Sequence, residues 1–221
     1  MDLKAESKAP VLIKFQSKKR IDSFQSGTVY MNKLNYFIEM EELEDNHEVG
    51  DYMENKFFSM AYELPDGTPC NFISTTEDNR NNFIFCLFCV PADGCHFQFS
   101  SEQKEKLPDF GDTALVIQDF HEFISRVANE AGKQGYELHN REAVYYKENC
   151  EMPIEVAKLL TEGLYNFSFL KRSSYSYQQE YRLAVNMEET EEDHIILDIG
   201  DISDISYQIS TKQLLEEGID T

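Results

Sequence analysis

Thr113-Ala-Leu-Val-Ile-Gln-Asp-Phe-His-Glu-Phe-Ile-Ser-Arg-Val-Ala-Asn-Glu-Ala-Gly132 is the stretch on which the fold turns. Its first five residues read as a strand. From Asp119 the period changes: Phe120, Phe123, Ile124, Val127, Ala128 and Ala131 fall at i, i+3, i+4, i+7, i+8 and i+11, one apolar stripe of a helix ending near Gly132. Upstream, Val11–Phe15 is a short apolar strand, 18–26 is helical with Gly27 in the stop position, and Val29–Met31 is a second strand. Residues 33–42 have helical spacing, and strands are expected at 56–63, 83–90 and 95–99, with turn formers at Pro65–Gly67 and Thr75–Asn82.

Downstream, Ser100 with Gln103 has capping-box spacing, Ala143–Tyr146 is a strand, and Pro153 suits the first turn of a helix reaching Leu164. Strands follow at Glu180–Asn186, Ile195–Leu197 and Ile202–Tyr207, and Ser210 with Gln213 caps a terminal helix ending at Gly218. The expected architecture is α+β: a polar tail over 1–10, then a single domain over 11–221. That domain has a mixed, mostly antiparallel β core and about five helices.

Twelve Tyr and 16 Phe in 221 residues argue against global disorder. No apolar run approaches the roughly 18 residues of a membrane span, and no secretory h-region follows Met1. The five cysteines form no regular framework, so the expected location is the reducing cytoplasm. Cys86-Leu-Phe-Cys89 falls inside an expected strand, where residues three apart face opposite ways, which argues against zinc.

With 20 Lys+Arg against 41 Asp+Glu, a net charge of −21 makes phosphate-coating nucleic-acid binding unexpected. The acid is uneven. Glu39–Asp66 holds ten acidic residues and one base, and Glu188–Asp204 eight and none, whereas residues 1–20 hold six bases against two acids. Solvated loops account for such runs, and so does an acidic surface that docks a protein partner with a basic surface, as nucleic-acid mimics do.

Tyr175-Ser-Tyr-Gln-Gln-Glu-Tyr-Arg-Leu-Ala-Val185 carries the densest chemistry. In an extended chain Gln178, Glu180 and Arg182 share one face, suited to holding a sugar hydroxyl or a developing cation. The plainer alternative is an exposed ion pair at a strand entrance. Asp51 with Glu54 could ligate a metal or stay solvated; Ser74-Thr-Thr76 could orient a ligand or end a strand. Tyr30, Tyr36, Tyr175, Tyr177 and Tyr181 could stack on a planar base or edge the core. No GxSxG, Walker loop, GxGxxG or HExxH motif occurs.

Two resemblances follow. Lys14-Phe15, Gly27–Asn32, Gly50-Asp-Tyr-Met-Glu54, Phe85–Phe88, Phe110–Ile117, Val144-Tyr145 and Tyr177-Gln-Gln-Glu-Tyr-Arg-Leu183 together resemble an uncharacterised family of bacterial and phage proteins. That resemblance, whose strongest signature is the Tyr-x-x-Glu-aromatic-Arg pattern at Tyr177–Arg182, implies a role in phage–host conflict. Lys14, Ser74-Thr-Thr76 and Gln178-x-Glu180, in that order, also resemble the motifs of ADP-ribosyltransferases, with Lys14 standing where those folds carry Arg or His. That second resemblance implies NAD as the ligand. Glu180 would favour an oxocarbenium-like transition state and Gln178 would orient the acceptor. Lys14, Tyr30, Ser74 and Arg182 would serve the cofactor.

Overall fold

The computed structural model describes residues 9–34, 36–37, 58–63, 68–74, 81–147, 168–187 and 190–221, with the backbone alone described over 58–63 and 69–74. The class is α+β with a mostly antiparallel sheet. By contact the chain divides into two compact units, one of residues 1–29, 87–133 and 197–221, the other of residues 30–86 and 134–196.

The first unit is built on the strand–helix stretch quoted above. Strand β1 (Val11–Gln16) lies antiparallel to β7 (Thr113–Ile117), Leu12 opposite Ile117 and Gln16 opposite Thr113. On its other side β1 pairs with the end of β5 (Asn82–Val90), and β7 pairs onward with β13 (Ser206–Ser210). Every residue of β7 is buried, which requires cover on both faces. Ile13, Phe15, Phe88, Val90, Ala114 and Val116 pack with Phe99, Leu107, Leu214 and Leu215 of the capped helices α2 (Ser101–Lys106) and α4 (Thr211–Glu217) and their flanks. Helices α1 (Lys18–Gln25) and α3 (Phe120–Lys133) meet through an edge-to-face contact of Phe24 with Phe123, 5.9 Å between centroids.

The helix stops and caps follow the sequence. Gly27 ends α1 with φ +111°, and a Cβ there would sit 2.5 Å from the Gly200 carbonyl oxygen, so glycine is required twice over. Ser100 and Gln103 form the capping box, and the Ser210 hydroxyl accepts from the Gln213 N–H. One strand shifts: Ile202–Tyr207 is expected extended, yet Asp201 and Ser203 close a turn through side-chain hydrogen bonds and β13 begins only at Ser206.

Most of β2 (Thr28–Lys33) and of β12 (His194–Asp198) belongs to the second unit, where β2 pairs antiparallel with the first half of β5, Asn32 opposite Ile84, and β12 joins β2. Strand β11 (Glu180–Asn186) pairs with β5 and antiparallel with β8 (Leu138–Glu142). Leu34, Ile84, Phe169 and Ala184 form its core. Among the strands not foreseen, which also include β8 and Ile219–Asp220, β4 (Pro69–Ser74) and β10 (Leu170–Arg172) pair with β3 (Phe58–Glu63) and with β9 (Val144–Tyr146); the β9–β10 pair is parallel. The expected helix from Pro153 to Leu164 lies outside the described residues. Among the described residues no helix is long and apolar enough to cross a membrane.

Candidate functional site

Two residues of the Tyr177–Arg182 signature, Gln178 and Glu180, share one ammonium group from β10, and Arg182 pairs with the same Glu180 carboxylate. Lys171 lies opposite Tyr145 in the β9–β10 register, so both side chains project from one face of that ribbon. After Arg172 the chain tightens into a 3₁₀ turn, Ser173–Gln178, and Gln179 takes a left-handed conformation, φ 39° and ψ 52°. Gln179 is the only non-glycine residue with positive φ among those described, and it reverses the chain into β11. Gln178 is therefore not extended, as the sequence reading expects, but its amide still meets the Glu180 carboxylate at a shared donor.

That donor is Lys171. Its ammonium donates to Gln178 Oε1 and to Glu180 Oε1, both at 2.6 Å. The other carboxylate oxygen, Oε2, accepts from Arg182 Nε at 2.5 Å, and the Arg182 guanidinium also donates to the Ser168 carbonyl at 2.6 Å. Tyr145 closes the strand entrance, its hydroxyl accepting from the Glu180 backbone N–H at 2.8 Å. Gln178 Nε2 donates to the Tyr177 hydroxyl at 3.1 Å. The Tyr175 ring carries cations as well, with Lys171 Nζ 4.9 Å from its centroid and the Arg172 guanidinium 5.3 Å away.

The charged and amide groups at the centre of this cluster are buried, with Tyr145 and Arg172 half-buried at its edge. Lys171, Gln178 and Glu180 are 4%, 5% and 7% exposed, and Arg182 is 1% exposed. The exposed ion pair that the spacing also permits is thus ruled out: the pair is a buried ion triad. Burial alone would raise the Glu180 pKa; Arg182 and then Lys171 outweigh it and hold the carboxyl down at about 2. Tyr145 moves the other way, its phenol pushed up first by burial and then by the Glu180 charge. A carboxylate has about four lone-pair directions. The two described cations take one on each oxygen, leaving acceptor capacity for a hydroxyl.

A second polar chain continues from Ser168. Asn82 Nδ2 donates to the Ser168 hydroxyl at 2.7 Å, and Asn186 Nδ2 donates to Asn82 Oδ1. The backbone and side chains of Ser168 thereby tie the start of β5 and the end of β11 to the Arg182 guanidinium.

The other residues singled out by sequence are placed elsewhere or only in part. Lys14 sits on β1, opposite Leu115, in the first unit, whereas Gln178, Glu180 and Arg182 belong to the second. Ser74 ends β4 opposite Phe58, so it closes a strand; Thr75 and Thr76, like Asp51 and Glu54, lie outside the described residues. Tyr30 stacks on His194, with centroids 4.5 Å apart and planes 17° from parallel. Sequence reading missed Lys171 and Tyr145. The available signal for Lys171 was a basic residue placed just ahead of the tyrosine-rich turn, nine positions before Glu180. The chain matches no family model, no curated protein and no solved structure.

Proposed function

We propose that the chain is a cytoplasmic ADP-ribosyltransferase-like protein that acts on NAD, with Glu180 as the group that stabilises the reacting sugar. The observation that carries this reading is the convergence of Gln178 and Glu180 on Lys171, with the carboxylate fixed in place and held ionised. A preorganised carboxylate lowers the energy of a cation developing at the ribose anomeric carbon. In the reaction the bond from that carbon to the nicotinamide nitrogen breaks and its electron pair leaves with nicotinamide. An acceptor hydroxyl, or water, forms the new bond and releases its proton to solvent.

Gln178 orients the acceptor through its amide. The positive charge of Lys171 opposes a cation at the same place, so this reading requires the ammonium to leave Glu180 when NAD binds, with Arg182 keeping the carboxylate ionised. The test uses NAD labelled in its ADP-ribose part, with nicotinamide release and protein labelling followed together. Wild-type protein is expected to release nicotinamide, Gln178→Ala to keep release but lose transfer, and Glu180→Gln to lose both at a temperature where circular dichroism shows it still folded. Wild-type protein that neither binds nor cleaves NAD at millimolar concentration overturns the reading.

One observation favours a second reading: Glu180 is 7% exposed and each of its oxygens already meets a cation. On that reading the triad is structural, and the chain is a non-enzymatic acidic protein that engages a basic partner in phage–host conflict. Inertness towards NAD, together with salt-sensitive partner binding, distinguishes it.

A further inference from the structure

On the outer side of the β2–β12 ribbon the second unit carries apolar and acidic groups together. Along β12 the alternation turns Ile195 inward, 5% exposed, and leaves Ile196 45% exposed. On β2, Val29 and Met31 are fully buried while Tyr30 is 43% exposed, its ring stacked on His194. Immediately before β12 the exposed residues Glu191, Glu192 and Asp193 add three negative charges. Among the described residues no Lys or Arg forms an ion pair with them. The nearby Lys33 instead directs its ammonium to the Thr190 carbonyl at 3.1 Å and its backbone N–H to the Asp193 carbonyl at 3.0 Å.

We propose that this surface binds an arginine-bearing segment of a partner protein. A guanidinium is the group that fits both halves: it stacks on an aromatic face and pairs with a carboxylate, while its methylene stem lies on an apolar neighbour such as Ile196. Nucleic acid has the wrong sign. A second copy packed about a two-fold axis would bring the two acidic triplets together, which costs energy. The surface is independent of the chemistry at Glu180.

The probe is a fluorescein-labelled peptide of alternating Arg and Val, titrated into the full chain at low salt and followed by anisotropy. Saturable binding is expected. Tyr30→Ala, Ile196→Lys and the pair Glu191→Lys with Glu192→Lys should each weaken it about tenfold. Glu105→Lys, an exposed acid on α2, should leave it within about twofold. All five substituted residues are exposed, and circular dichroism checks that each variant keeps its fold. The proposal is overturned by absence of saturable binding, by variants at Tyr30 and Ile196 that bind as wild type, or by an equal loss with Glu105→Lys. Sedimentation showing a dimer that Ile196→Lys dissociates would assign the surface to self-association instead.

Discussion

The Lys171 ammonium and the Glu180 carboxylate lie 2.6 Å apart across a left-handed turn at Gln179, both almost wholly removed from water. Each depends on the other, because an unpaired charge at that depth is far costlier than the pair. Glu180→Gln should therefore destabilise the chain by about 3–5 kcal/mol, since Lys171 and Arg182 are left facing a neutral amide. Adding Lys171→Met should recover part of that loss, and urea unfolding of the two single variants and the double variant measures the coupling. Additive losses would count against the triad.

The same carboxyl predicts an acid limb of stability. Its pKa is depressed in the folded state, to about 2 from an ordinary 4.5. Its contribution is thus fully present above about pH 4.5 and is lost as the pH falls towards 2. That contribution is on the order of a few kcal/mol. Urea midpoints measured from pH 6 down to 2.5 should fall in wild type, and Glu180→Gln should remove that component of the fall.

At the other end of the chain, His96 bridges the C-terminal strand β14 (Ile219–Asp220) to β6 (His96–Phe97). Its Nδ1 meets Asp220 at 2.6 Å and its Nε2 meets the Glu217 carbonyl at 2.9 Å, where Gln98 also donates. The Asp220 hydrogen bond, chiefly, raises the His96 pKa above 6.5. A raised value means the contribution is complete below pH 6.5 and disappears as the pH rises through the folded pKa. Amide exchange at Ile219 and Thr221 should quicken across that range beyond its intrinsic pH dependence, and His96→Ala should abolish the extra change.

Arg126 holds the turn before β13. Its guanidinium meets both Asp204 carboxylate oxygens, Glu122 one helical turn away at 2.8 Å, and the Asp201 carbonyl at 2.9 Å. Arg126→Lys cannot reproduce this fork and should cost about 1 kcal/mol, with Arg126→Ala somewhat more. Thermal unfolding at low and high salt checks the size and its electrostatic share.

At Gln179 the left-handed backbone gives a prediction of sign. A β-branched residue there clashes with its own carbonyl, so Gln179→Val should lose about 1–2 kcal/mol more than Gln179→Gly. Equal stability of the two variants would show that the turn relaxes.

Amino-acid order alone determined the α3 stripe from Phe120 to Ala131, the caps at Ser100 and Ser210, the stop at Gly27 and the strand character of Phe83–Val90 and Glu180–Asn186. These depend on neighbours within about four residues, where a helical or strand period and a capping oxygen act locally. It also marked Gln178, Glu180 and Arg182 as one group. Only the tertiary structure decided what kind of group: the 3₁₀ turn and the left-handed Gln179 bring Lys171 of β10 onto Glu180, which pairs with Lys171 and Arg182 at the centre of a buried triad. It likewise placed Lys14 in one unit and Glu180 in the other. Burial and a partner nine residues away across a reversed chain are properties of packing, and no period in the sequence encodes them.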